Sequence, residues 1–333
     1  MCFIMYLDQN TLSDLRQRKV EETDNDDFKL LKFVIMSEQV LLVYSHVTLE
    51  EILQIKNIEY RQEHVELLME LNAQYIEPLT GELNNKSPSD IWKEYLENNK
   101  INSDLGIDTL ISVSQLTSRK FSGLPVGESF NEINDKLKES LNTVITNGEI
   151  QLASIDISLL GDEQRCHFID MKRKIYELRE GVNGLEALVI SDEQQLGPQP
   201  FRDMPEIKSL GIQGVDINHV VNKIEEIFEQ ENSSFDFEHY FEKTAQSDVA
   251  RAYSLMNWAG YYADDFTKSK KGKDRFNASN KDMMHVIAAL GADFLISNDI
   301  KFCKKAMACF AYVGFGTVVC SPKDFIKKYC KFK

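Results

Sequence analysis

Four short runs, apolar apart from Asp293 and Thr317, constrain this chain most: residues 2–7 (CFIMYL), 40–44 (VLLVY), 292–296 (ADFLI) and 317–320 (TVVC). Runs of this length without polar alternation suit strands covered on both faces. Helical patterns follow them. Asp8-Gln9-Asn10-Thr11 opens a helix predicted through Arg18, and Ser45 and Thr48 precede one predicted over about 49–71. Pro88 begins a further helix. Residues 282–290 read as a helix stopped by Gly291, and 299–312 as another. Pro322 starts the last, since proline suits the first helical position. Strand–helix alternation at both ends predicts an α/β fold with a central parallel sheet flanked by helices.

The middle of the chain reads differently. Residues 98–245 hold helical stretches over 130–144 and 169–180 with turn-rich connectors. Gly197-Pro-Gln-Pro200 and Pro205 form the clearest linker, and Asn147-Gly148 has the composition of a hairpin turn. The expected organisation is one discontinuous α/β domain, 1–97 with 246–333, carrying a mostly helical insertion or subdomain over 98–245.

No stretch reaches the 18–20 apolar residues, roughly, of a membrane helix. The N-terminus lacks the basic n-region of a signal peptide. None of the six cysteines has CxxC spacing. Reduced thiols in a cytoplasmic protein are expected, with no membrane partner. Cys303, Cys309, Cys320 and Cys330 match no zinc pattern and read as small buried hydrophobes.

Charge bears on partners. The net charge of −15 argues against a polyanion partner. Its distribution argues the other way. Residues 268–333 contain 14 Lys or Arg against five Asp, or +9, which leaves −24 on the other 267 residues. Lys268, Lys270, Lys271, Lys273 and Arg275 are the densest basic group, either a nucleic-acid contact or a solvated loop.

Asp8, the pair Glu50-Glu51, Asp282 and Asp299 each fall at the carboxyl end of an expected strand or in the first turn of an expected helix. Open parallel sheets bind ligands at that edge. Carboxylates gathered there repel unless a cation sits among them, and Mg²⁺ or Mn²⁺ suits an all-oxygen set. Such ions support phosphodiester hydrolysis. Each acid also has a capping role open to it: Asp8 and Asp299 as N-caps, Thr48-x-x-Glu51 and Ser279-x-x-Asp282 as capping boxes. Asp282 and His285 share a helix face. Asp293 reads as structural. Asp264 and Asp265, before the basic loop, could add to the acidic site but read rather as a solvated helix end. Trp258, Tyr261 and Tyr262 read as core residues of an amphipathic helix over 249–266, or as a stacking surface for bases.

Three blocks together resemble a known family. Tyr6-Leu-Asp8-Gln-Asn10, Tyr44-Ser45-x-x-Thr48-Leu-Glu50-Glu51-Ile52, and Asp282-x-x-His285 running through Ala292-Asp-Phe-Leu-Ile-Ser-Asn-Asp299-x-x-Phe302 are similar to the PIN-domain nucleases, in their longer bacterial form rather than the short toxins. The likeness covers about the first 70 residues and the last 55 to 85. It implies a PIN-like parallel sheet and a Mg²⁺ or Mn²⁺ nuclease, with RNA favoured over DNA as substrate and a toxin or anti-phage role open. Carried over by position, it implies Asp8, Glu51 (with Glu50 in reserve), Asp282 and Asp299 as metal ligands. His285 would stand at the scissile phosphate or orient Asp282. Asn10, Ser45 and Asn298 would support carboxylates or phosphate, and 268–275 and the lysines after Asp299 would guide the polyanion. A protein regulator or a homo-oligomer is compatible with it. The alternative is a non-catalytic PIN-like scaffold whose acidic insertion binds a protein partner.

Overall fold

The computed structural model describes residues 2–17, 26–37, 39–77, 80–184, 196–231, 242–264 and 275–330. Lys268, Lys270, Lys271, Lys273 and Asp265 lie outside them.

The chain divides into two compact units, Met1–Lys93 with Pro198–Lys333, and Glu94–Gly197. The first is α/β. Its strands are β1 (Phe3–Leu7), β2 (Val40–Tyr44), β3 (Gln74–Ile76), β4 (Leu83–Asn84), β5 (Phe294–Ile296) and β6 (Val318–Cys320). They form one sheet in the order β4-β3-β2-β1-β5-β6, parallel throughout except for β4. Tyr6 pairs with Val43 on one side and Leu295 on the other, so β1, β2 and β5 end level.

The helices between them are α1 (Gln9–Gln17), α2 (Asp26–Ile35), α3 (His46–Gln54) and α4 (Ile58–Glu70). The single helix expected over 49–71 is two, because Ile55 turns extended and Asn57 caps a fresh start by accepting from Glu59 N at 2.9 Å. Thr48 is therefore the third residue of α3, not its cap; the N-cap is Ser45.

After α5 (Pro88–Leu105) the second unit is helical: α6 (Ile107–Phe121), α7 (Phe130–Ala153) and α8 (Asp162–Asn183). Ser129 and Glu132 form a reciprocal capping box at the start of α7. Asn147-Gly148 makes no hairpin and lies inside α7. The unit's end touches its α6–α7 turn: a Cβ on Gly123 would stand 2.7 Å from Leu196 O, and one on Gly197 2.8 Å from Gly123 Cα. Both glycines have φ in the left-handed region, 72° and 100°, so neither tolerates a side chain.

The chain then returns to the first unit through α9 (Pro198–Asp203), α10 (Pro205–Ser209), α11 (Val220–Glu231) and α12 (Ala245–Ala259). The expected linker at 197–205 is helical, and residues 198–231 belong here rather than to an insertion ending at 245. The reason is apolar content: Phe201, Ile207, Val220, Val221 and Ile224 are buried in the core with Tyr253 and Met256. Gly260, at φ 93°, ends α12 earlier than the expected helix end at 266. Then come α13 (Phe276–Ala288), α14 (Ile300–Val313) and α15 (Pro322–Tyr329). Tyr261 is buried and Trp258 and Tyr262 pack against the core, although both tyrosines lie beyond the helix end. Cys303 and Cys309 are buried too, whereas Cys320 and Cys330, also expected to be buried, are only partly so. Among the described residues, no helix is long and apolar enough to cross a membrane.

Candidate functional site

The level ends of β1, β2 and β5 place three polar residues on one edge: Asp8, Ser45 and Ser297. Asp8 is buried, and both its oxygens are used. One accepts from Thr11 N at 2.8 Å, which caps α1; the other accepts from Ser297 Oγ at 2.7 Å. Burial raises its carboxyl pKa against the pull of these hydrogen bonds. Ser297 Oγ also accepts from Asp299 N at 3.0 Å, so one hydroxyl ties the first and last acids together. Asp299 caps α14, accepting from Phe302 N at 3.0 Å.

Glu51 lies in the second turn of α3. A carboxylate oxygen stands 2.9 Å from His285 Nε2, whose N–H must be the donor because a carboxylate only accepts. Nδ1 of the same ring lies 2.8 Å from the Tyr6 hydroxyl, which in turn lies 2.9 Å from Ser45 Oγ. Tyr6 is fully buried, and burial holds its phenol protonated. The hydrogen-bonded chain Ser45–Tyr6–His285–Glu51 thus fixes one acid from inside the sheet. His285 orients Glu51, not Asp282. Glu50 turns away and pairs with Lys281 at 3.5 Å while accepting from Gln54 at 3.1 Å.

Asp282 sits in the second turn of α13, a helix that precedes β5. It is neither a helix-start residue nor part of a capping box with Ser279, since α13 begins six residues earlier. Its carboxyl pKa is raised to about 8 by burial first, then by the negative charges of Asp264, Asp299 and Glu51, with Lys305 opposing. That repulsion places Asp264, Asp299 and Glu51, from three other segments, within electrostatic reach of Asp282.

Two further residues play roles other than those the sequence favoured. Asp264 is no solvated helix end: it accepts from Ser279 Oγ at 2.7 Å, donates its backbone N–H to Asn257 Oδ1 at 3.1 Å, and pairs with Lys305. Lys305 is fully buried, so it is not a solvent-facing guide for a polyanion. Its spacing carried a signal. Phe302, Lys305 and Cys309 share one helix face, and the other two are buried. A lysine on such a face needs partners inside.

Other expected residues fall elsewhere. Asn10 is exposed on the first turn of α1 and has no hydrogen bond to the acids; Asn298 is exposed. Arg275 is exposed at the start of α13. Asp293 is structural: it accepts from Ile4 N at 2.8 Å and joins β5 to β1.

The donors converging here are all oxygens, which suits a hard divalent cation. Among the described residues, however, no three Asp, Glu, His or Cys side chains already stand as ligands around a common point. A lysine ammonium lies among the acids instead. No protein-family model, curated protein or solved structure matches the chain at a significant level.

Proposed function

We propose that this chain is a metal-dependent nuclease with a PIN-like centre, hydrolysing phosphodiester bonds with RNA favoured over DNA. One observation carries the reading. Asp8 and Asp299 share the Ser297 hydroxyl at the carboxyl edge of the parallel sheet, and Asp282 feels the negative charges of Asp264, Asp299 and Glu51, which help burial to keep it protonated. Asp8, Glu51, Asp282 and Asp299 would hold Mg²⁺ or Mn²⁺. When bound, such an ion supplies Lewis-acid stabilisation of charge on the reacting phosphodiester oxygens.

The chain's own residues supply the order. Ser297 fixes Asp8 and Asp299 in one register, and His285 holds Glu51 from the core side. The preference for RNA, and a toxin or anti-phage role, rest on the PIN likeness of the three sequence blocks.

The test is Mn²⁺-dependent cleavage of labelled single-stranded RNA and DNA by the wild type and by Asp282→Asn. Cleavage that needs Mn²⁺ and disappears in the variant is expected. Activity that survives the substitution unchanged would remove this site.

A second reading, a scaffold that binds a protein partner, draws on the helical unit. There Ile150, Leu159, Ile169, Tyr176 and Leu178 are exposed apolar side chains. Absence of cleavage across many substrates, with stoichiometric capture of a partner through these residues, would favour it.

A further inference from the structure

Lys305 is a buried charge that the nuclease reading does not use. Its side chain is fully buried, and a lysine is almost never so unless paired. Its Nζ contacts Asp264 Oδ2, lies 3.1 Å from Asn257 Oδ1, and stands 4.2 Å from the centre of the Tyr253 ring. A carboxylate, an amide oxygen and an aromatic face all favour a cation, and none is a donor that would prefer a neutral amine; with Asp282 and Asp299 they oppose burial, which lowers the ammonium's pKa. The cradle is itself braced: Asn257 Nδ2 and Asp264 both engage Ser279 Oγ, at 3.1 and 2.7 Å.

A second feature points to a polar occupant beside it. Tyr253 is 1% exposed, and its hydroxyl has no hydrogen-bond partner among the described residues. Asp264, Asp282 and Asp299 all bear on it electrostatically. A buried hydroxyl left unpaired in a native fold calls for a ligand or water.

We propose that Lys305 is a resident cation of the acidic centre, standing where a second divalent ion would otherwise sit, so that the centre holds a single Mg²⁺ or Mn²⁺. The inference rests on the metal reading of the site. Lys305 withdraws Asp264 from the ligand set and partly neutralises Asp282 and Asp299. A second divalent ion brought to the same carboxylates would meet the ammonium's repulsion at short range in a poorly solvated setting.

The test counts ions. Mn²⁺ is titrated into the full-length chain and free Mn²⁺ is followed by electron paramagnetic resonance; the ions that count are those lost in Asp282→Asn. The wild type is expected to bind one, Lys305→Met two, and Lys305→Arg, which restores the charge, one. Two ions in the wild type would overturn the proposal, as would a single ion in a folded Lys305→Met. The wild-type count needs no variant, so the proposal stays exposed if Lys305→Met does not fold. A wild type that binds one ion but cleaves no nucleic acid removes the nuclease reading and supports this one. A chain that binds no Mn²⁺ overturns both.

Discussion

The imidazole of His285 bridges Tyr6 and Glu51, with Nδ1 2.8 Å from the phenol oxygen and Nε2 2.9 Å from the carboxylate. In the neutral ring, Nε2–H donates to Glu51, so Nδ1 accepts from Tyr6, whose oxygen can then accept from Ser45. Each member fixes the orientation of the next. Partners of this kind set ligand geometry, and losing one typically costs about 10–100-fold in metal affinity or activity. His285→Ala is therefore expected to weaken Mn²⁺ binding by about that factor in a titration. Tyr6→Phe keeps the ring and loses the hydroxyl, at about 1 kcal/mol of folding stability and a smaller loss of affinity. Unchanged Mn²⁺ affinity in a folded His285→Ala would detach the histidine from the site.

Adjacent glutamates should behave oppositely. Glu51 faces His285, whereas Glu50 lies in a half-exposed pair with Lys281 that is worth about 1 kcal/mol at most. Glu51→Gln is expected to lose Mn²⁺ affinity and cleavage by roughly tenfold or more, while Glu50→Gln stays close to wild type in both. Parallel titrations decide between them, and the reverse order would reassign the ligand.

How much of this was legible depends on where each decision is made. The apolar runs of β1, β2, β5 and β6 are local, and so was the placing of Asp8 and Asp299 at their ends. β3 and β4, three and two residues long, are too short to show a period and exist because a neighbouring strand receives them. The break between α3 and α4 is invisible because apolar residues continue at helical spacing across it. Asn147-Gly148 was overruled by the helix around it, where α7 packs between α6 and α8. In the site, spacing after Ser45 favoured Glu51 and kept Glu50 in reserve; Glu51 reaches His285, whereas Glu50 pairs with Lys281. Asp264 and Lys305 pair across 41 residues, and only tertiary packing joins them.

Ion-free stability should report the crowding of the acids. The Asp282 carboxyl is raised from an ordinary 3.8 to about 8 in the fold. A carboxyl raised in this way favours the folded state fully below the unfolded value, and that contribution is lost as pH rises through about 8. Asp282→Asn, neutral at every pH, escapes the loss. In EDTA at pH 8 the variant is expected to be more stable than wild type by about 1–3 kcal/mol in urea unfolding, the scale of an uncompensated buried polar group. At pH 4 the two should converge, and Mn²⁺ at pH 8 should reverse the order. A variant less stable than wild type at pH 8 without metal would mean that the acids are not in conflict.

His64 gives a second pH signature, opposite in sign. It is 1% exposed; its Nδ1–H donates to Tyr60 O at 2.6 Å, which leaves Nε2 to accept from Ser13 Oγ at 3.2 Å. The neutral ring satisfies both nitrogens in this arrangement, and burial lowers its pKa below the ordinary 6.5. A histidine depressed in the fold contributes stability that is fully present above the unfolded value and is lost as pH falls through the folded one. Wild type is therefore expected to lose more stability between pH 7.5 and pH 5 than His64→Gln, which cannot take up the proton. The variant itself should be weaker at pH 7.5 by about 1 kcal/mol for the altered hydrogen bonds. Urea unfolding of both proteins at the two pH values isolates the effect, because every other titrating group cancels in the comparison. Equal pH dependence in the two proteins would show that His64 takes up its proton without loss of the fold.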